Sequence, residues 1–517
     1  MAVRLRILER EQGGRGRVHN SEHGGEMSVG SASPNKRPLH IRFMEFTAEV
    51  FLPAGYPASV SPDYLRYQVF NALQAFCSSL AGLLSSRALL EGFGVGKADA
   101  SATHALLLTV LQDFFSRITT ICAAYTLGPS LSSEAKTFRL LADVFNDVAI
   151  VLDTLSPLFA SKLRIPGLRI GALCLSGALR ALCGIAAGGS KAALAVHFAT
   201  PARGTATGDV GDLNAKDSSK ETVLALGGML VGSLIVPYLT SPWTTYPVLF
   251  ALVALHLALN YLGIRGVVLR TLNRQRLTIA WELYRSSTSD SDIESKIKFT
   301  SPFEVSKLER ILERPGVLRD LRGNVAGTCT VGSSLNDVLG RGSGSNSKSS
   351  STMAIPLRLL EEMEAERYVL WFDCASLSSP SPRPNAPDEF ELRLARVGPV
   401  HLHICLKEGH APADTLRGWA HAVEVVLLLE QHRENFSQKS NSDFILRAGL
   451  APDLILAAYR RVAPVFPDFL EGLRGVGWNT VEPTVLTGAP RALIVSIETA
   501  EPGTGLDTEY PEEKKEK

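Results

Sequence analysis

The sequence predicts a mainly α N-terminal helical domain with apolar helices that could span a membrane, plus a smaller α+β C-terminal domain. Three observations carry that expectation. A polar string at 214–222 passes directly into two apolar segments, 223–240 and 247–264, each about 27 Å long as a helix and so close to the thickness of a bilayer core. Upstream of them, apolar residues recur at helical spacing over several long stretches. Downstream of residue 353, short runs with strand character (368–372, 390–394 and 400–406) are interleaved with helical stretches at 414–431 and 451–462.

A chain of 517 residues exceeds one ordinary core, so two domains with linkers are expected. These are a disordered arm over 1–42, a helical domain over 43–284, a linker with a low-complexity segment over 285–352, the α+β domain over 353–500 and a charged tail over 501–517. Basic and acidic residues number 53 and 52, and a net charge of +1 argues against the basic excess of a nucleic-acid surface. The seven cysteines (Cys77, Cys122, Cys174, Cys183, Cys329, Cys374 and Cys405) form no CxxC pair, which predicts reduced, mostly buried thiols. Glu9, Glu11, Glu22 and Glu26 among the N-terminal arginines count against a transit peptide.

Order is expected from Phe43. Pro53-Ala54-Gly55-Tyr56-Pro57 forbids continuous helix, so the chain turns there. Ser61-Pro62-Asp63 is a helix start, with a hydroxyl N-cap, proline at the first helical position and a carboxylate at the positive end of the dipole. Leu65, Val69, Leu73, Phe76, Leu80 and Leu83 follow at helical spacing. The string Gly92-Phe93-Gly94-Val95-Gly96-Lys97 invites a phosphate-loop reading, but Glu91 and Ala98 stand where that loop needs a glycine and a Ser or Thr. Further helices are expected over 105–125 and 138–155. On the second, Leu141, Val144, Phe145, Val148, Leu152 and Leu155 make the expected core face, and Arg139, Asp143, Asn146 and Asp147 the solvated one, with Arg139 paired to Asp143 at i,i+4. The stretch 168–198 carries Arg180 and Lys191 and a GxxxG spacing at Gly184 and Gly188, which predicts a protein-buried or interfacial helical pair.

In the central stretch, Lys216, Asp217 and Glu221 are expected to form a charged helix-entry cap, with a docking surface as the alternative. Gly228 and Gly232 repeat the GxxxG spacing. His256 and Asn260 lie one turn apart inside an apolar segment, where a structural hydrogen bond is expected of the histidine. Arg265, Arg270, Arg274 and Arg276 form a basic flank, which the positive-inside tendency places on the cytoplasmic face. The alternative is a buried helix pair in a large soluble core. Farther on, His401, His403 and Cys405 share one strand face, but the alternation matches no familiar zinc-ligand spacing; together with His410 and His421 they are expected at the surface or half-buried.

An ordered set of motifs resembles the root UVB-sensitive family, also described as a vitamin B6 photo-protection and homeostasis family. It comprises Phe51-Leu52-Pro53-Ala54-Gly55-Tyr56-Pro57 with Ser59-Val60-Ser61-Pro62-Asp63-Tyr64, then 92–96, Arg139-Leu140-Leu141-Ala142-Asp143, and Asn146-Asp147. Gly188-Gly189, Ala215-Lys216-Asp217 with Glu221-Thr222, Leu255-His256-Leu257 and Asn260-Tyr261 complete it, over about residues 45–273. Ser218 and Lys220 depart from the glycine and glutamine usual in the family, and Ser190-Lys191 from its Thr-Arg.

The resemblance implies a link to vitamin B6 status and, for plant members, to plastids and early growth under UV-B, with no accepted reaction and no defined catalytic residue. The function expected is a membrane-associated intracellular protein acting through protein partners, a paralogue among them, in metabolite homeostasis, with no nucleic acid and more in keeping with a non-enzyme. The rival is a binder or enzyme of vitamin B6 vitamers. For pyridoxal phosphate the candidate lysines are Lys191, after Gly188-Gly189-Ser190, and Lys216, near a helix entry.

Overall fold

The computed structural model describes residues 4–10, 16–22, 28–30, 39–93, 102–159, 167–201, 208–239, 241–289, 299–320, 322–338, 355–373, 400–439 and 450–497. These fall into two compact units: Met1–Arg270 with Arg310–Leu312, and Thr271–Glu309 with Glu313–Lys517. The first opens on three strands, β1 (Arg4–Arg10), β2 (Gly16–Glu22) and β3 (Ser28–Gly30), in an antiparallel sheet of that order. This corrects the expected disordered arm. Arg4, Leu5, Arg6 and Ile7 alternate polar and apolar with the period of two that a strand needs, a pattern hidden by the Gly- and Ser-rich residues around it.

Seven helices follow: α1 (Leu39–Phe51), α2 (Tyr64–Phe93), α3 (Ala102–Leu127), α4 (Ala135–Leu158), α5 (Leu168–Phe198), α6 (Val210–Ile235) and α7 (Pro242–Arg265). Helix α4 packs against α2, α5 and α7, α6 packs on α2, and α3 packs on α5. Among the described residues, five helical stretches are long and apolar enough to cross a membrane: Tyr64–Phe93, Ala105–Ser130, Leu168–Phe198, Val210–Tyr238 and Trp243–Arg265. Stretch 168–198 is one helix, not a pair, because its many alanines offset the roughly 1 kcal/mol that each glycine costs. Its close approach is made elsewhere than at Gly184 and Gly188, around which a Cβ would meet nothing within 4 Å; at Gly177 it would stand 2.7 Å from Gln112 of α3. On α6 the GxxxG spacing does serve packing, since a Cβ at Gly228 would stand 2.8 Å from the Phe76 carbonyl of α2.

Burial in this unit is inverted relative to a water-soluble bundle. On α2 the residues turned inward include Tyr64, Tyr67, Gln68, Asn71 and Gln74, whereas Leu65 and Val69 are 48% and 52% exposed. On α3, Leu106, Phe114 and Ile121 all face outward. Helix α4 corrects the expectation most sharply: Asp143, Asp147 and Asp153 are buried while Val148 is 43% exposed. A polar stripe finds partners inside when the neighbouring helices bring matching polar groups, and the apolar residues are then left for the outside.

The second unit contains α8 (Arg274–Ser289), α9 (Pro302–Leu308), β4 (Val317–Arg319), β5 (Val325–Val331), α10 (Leu335–Val338), α11 (Leu357–Glu362), β6 (Tyr368–Phe372), β7 (Val400–Lys407), α12 (Pro412–Lys439), α13 (Leu450–Val462), α14 (Phe466–Gly475) and β8 (Leu493–Ile494). The mixed sheet runs β4-β5-β7-β6, with β8 beside β7, and α12 packs on it. Trp281, Trp371, Trp419, Phe466 and Phe469 fill the core. Residues 285–352, expected as a linker, hold α9, β4, β5 and α10, with β5 in the sheet interior; its threonines and glycine mask the apolar alternation. Helix α8, expected to reach into the helical domain, buries Trp281 and Tyr284 in this second core. The expected basic flank is divided accordingly, for Arg276 is buried on Glu309 at 2.8 Å and Arg274 donates to the Val485 carbonyl. The expected strand at 390–394, the low-complexity segment at 340–351 and the tail at 501–517 lie outside the described residues.

Candidate functional site

The polar interior of the helical unit is built on α4. Arg139 donates to the Tyr67 hydroxyl at 3.1 Å and to Asn71 at 3.0 Å, both on α2, and stands 3.7 Å from Asp143 one turn on. Asp143 accepts from Gln74 of α2 and from Asn260 of α7. Asp147 receives the His256 Nδ1–H of α7 at 2.7 Å, Asn146 donates to Ser78 of α2 at 3.3 Å, and Asp153 receives Arg180 of α5 at 2.6 Å. One helix thus presents carboxylates at i, i+4 and i+10, and each meets a polar group brought by a neighbour. The i,i+4 pair of Arg139 with Asp143 is as expected, but the expected solvated face is an interior one.

A second tier comes from α6. Asp209 caps that helix by accepting from the backbone of Gly211 at 2.7 Å, so the string 215–222 lies inside the helix and is no entry cap. Asp217 accepts from Tyr64 at 2.7 Å, Gln68 at 2.6 Å and Lys220 at 2.8 Å. Glu221 accepts from Asn71 at 2.7 Å and from Lys191 of α5 at 2.9 Å. Between the tiers lies a narrow cleft with room for about one water, lined by Tyr67, Asn71, Arg139, Lys191, Asp217 and Glu221 among others. Arg139 and Lys191 in this lining are matched by Asp217 and Glu221, so it is charge-balanced.

A third element closes the end of α2. Gly55, at φ 77°, takes the left-handed conformation that lets the chain turn between Pro53 and Pro57, and Tyr56 packs its ring 6.4 Å from that of Tyr64. The helix proper opens at Tyr64, and Asp63 does more than face its dipole: it accepts from Ser61, from His197 of α5 at 3.0 Å and from the Val268 backbone N–H at 2.7 Å. Burial alone would raise the Asp63 carboxyl, but those bonds outweigh it and hold the group below the usual carboxylate range.

The structure therefore joins Tyr64, Asp143, Asn146, Asp147, Asp217, Glu221, His256, Asn260 and Lys191 in one interior. Thr222 is outside it, donating to the Ser218 carbonyl on its own helix, and Lys216 reaches the Glu49 carbonyl of α1. Sequence reasoning missed Gln68, Asn71 and Gln74, whose spacing of three along α2 is the signal that could have found them. In the second unit, His421 is fully buried, accepting from Tyr368 and donating to the Ile455 carbonyl, and burial lowers it to about 4. His403 is buried as well, which corrects the expected half-exposed setting for these two histidines; the packing around the sheet covers more than a short strand pattern reveals.

Residues 38–288 match the vitamin B6 photo-protection and homoeostasis domain. Among curated relatives, RUS family member 1 of Dictyostelium discoideum is 35% identical over 273 residues, 52% of this chain and 48% of that protein. Protein root UVB sensitive 3 of Arabidopsis thaliana is 32% identical over 265 residues, 51% of this chain and 56% of its own. Protein root UVB sensitive 2, chloroplastic, of the same plant is 29% identical over 244 residues, covering 47% and 53%. The chain thus spans about half the length of the curated relatives it matches. No solved structure matches it.

Proposed function

Residues 38–288 being a domain of the root UVB-sensitive, vitamin B6 photo-protection and homoeostasis family, we propose that this chain is an intracellular membrane protein that serves vitamin B6 homeostasis through protein partners, with no defined reaction. The observation that carries the proposal is the inverted burial of the helical unit. Carboxylates, amides and a histidine turn inward while leucines, valines and phenylalanines turn outward over five helices of spanning length. In water that exterior would be an aggregation surface; in hydrocarbon it is matched to its solvent, and the interior polar groups satisfy one another.

Partners enter through α3. Asp113 and Arg117 are exposed on this otherwise apolar helix, and a charge facing lipid at mid-bilayer costs about 2.5 to 3.5 kcal/mol on insertion scales, so a second helical protein of the same family is the proposed cover. The vitamer-binding alternative draws less support from the geometry. A Schiff base needs a lysine nitrogen free to reach the aldehyde, whereas the Lys191 Nζ is engaged by the Glu221 carboxylate at 2.9 Å.

Alkaline extraction of membranes from cells expressing the chain tests the proposal. The protein is expected in the pellet, and complete release into the supernatant would sink the integral reading. Solubilised in mild detergent, the same pellet is expected to yield a copurifying family member that the double change Asp113→Leu, Arg117→Leu removes.

A further inference from the structure

The sheet of the second unit has one face under α12: a Cβ at Gly418 of that helix would stand 3.3 Å from Ile404, so Leu402, Ile404 and Leu406 point that way. Successive strand residues alternate, so His401 and His403 lie on the other face. Antiparallel pairing of β6 with β7 sets Phe372 opposite Leu402 and Trp371 opposite His403. The next residue, Asp373, continues that register, donating its backbone N–H to the His401 carbonyl at 2.9 Å. Asp373 therefore shares the histidines' face. One ligand atom from each of the three residues lies within 4.8 Å of the other two.

We propose that Asp373, His401 and His403 bind a divalent first-row transition cation, with the remaining coordination positions left to water or a small ligand. Two imidazoles and a carboxylate are the donor set that borderline cations such as Zn²⁺ and Fe²⁺ take in sites that keep an open position. Ligands on a tetrahedral ion at about 2.1 Å stand roughly 3.4 Å apart, so rotamer adjustments of about an ångström close the set.

The surroundings orient the rings for this role. Ser333 Oγ lies 3.5 Å from the Thr330 carbonyl, to which it donates, and 2.8 Å from His403 Nδ1, whose N–H it can then accept; that tautomer leaves the Nε2 lone pair for the cation. Thr328, paired with His401 across β5 and β7, holds the Nδ1 of that ring, with Thr330 at 3.4 Å from its Nε2. Trp371 supplies an independent sign of a missing guest. It is 1% exposed, on the same face as His403, and its buried indole N–H has no hydrogen-bond partner among the described residues. Water or hydroxide on the bound cation is the acceptor proposed for it. Sequence spacing could not show the site, because the carboxylate arrives from another strand.

Full-length protein, stripped with chelator in detergent, is titrated with Co²⁺ as the probe. One equivalent is expected to give a saturable visible absorption band that Zn²⁺ displaces. His403→Ala and Asp373→Asn should abolish the band at unchanged helical circular dichroism, whereas His410→Ala should keep it. Ser333→Ala, which retains every ligand, should weaken binding ~10–100-fold. Absence of a saturable band on folded wild-type protein overturns the proposal, as does equal Co²⁺ affinity in the folded His403→Ala variant.

Discussion

Glu282 follows the buried Trp281 on α8, and its buried Oε1 has no hydrogen-bond partner among the described residues. Burial, with the nearby Asp320 carboxylate adding to it, pushes the Glu282 carboxyl from 4.5 up to about 8. The folded state then holds a proton that the unfolded chain releases near 4.5, so the stability it contributes is full below that value and falls as pH rises toward about 8. Glu282→Gln keeps a neutral side chain throughout. It should flatten this slope and raise the thermal midpoint of the second unit at about pH 9, by an amount corresponding to ~2 kcal/mol once solvent screening is allowed for. A variant that melts with the wild-type pH dependence would refute the assignment. At this scale the sequence was legible in part. The Arg139–Asp143 and Asp217–Lys220 pairs follow from spacing along one helix, but His256, which meets Asp147, and Tyr64, which meets Asp217, stand 109 and 153 residues away on other helices, where no local pattern points.

Helix α4 was legible as a helix and misleading as a surface. Its apolar and polar stripes are both clear in the sequence, but periodicity says only that they face opposite ways, and the solvent outside decides which is buried. The Asp147–His256 contact tests the inside assignment. With both groups buried, Asp147→Leu or His256→Leu alone strands the other and should cost about 3–5 kcal/mol, whereas the double change replaces a polar pair by an apolar one and should recover most of that loss. Melting of the four proteins in one detergent gives the cycle. Additive losses would mean the two groups act independently. The coupling of a polar contact between helices in a bilayer is closer to ~0.6–1.7 kcal/mol, so a small recovery measured in vesicles is compatible with a large one in micelles.

At the scale of the molecule, the helical first part and the α+β second part could be read from apolar length and strand alternation, while the boundary between them could not. Helix α8 follows α7 closely in the chain, and it is distant partners, Glu424 on α12 and Phe466 and Phe469 on α14, that assign it to the second core. The carboxylates of α4 carry a further implication, for the order in which the chain is made. Asp143 and Asp147 leave the ribosome more than a hundred residues before His256 and Asn260, so during translation the helix that becomes the centre of the bundle lacks the α7 groups that will hold it. If the chain enters a membrane as proposed, this helix is too polar to settle there alone and would have to wait beside the insertion machinery until α7 arrives. A chain stopped before Pro242 should therefore be short-lived in a pulse-chase, and the same truncation carrying Asp143→Leu and Asp147→Leu should persist longer; equal half-lives would show that α4 needs no such wait.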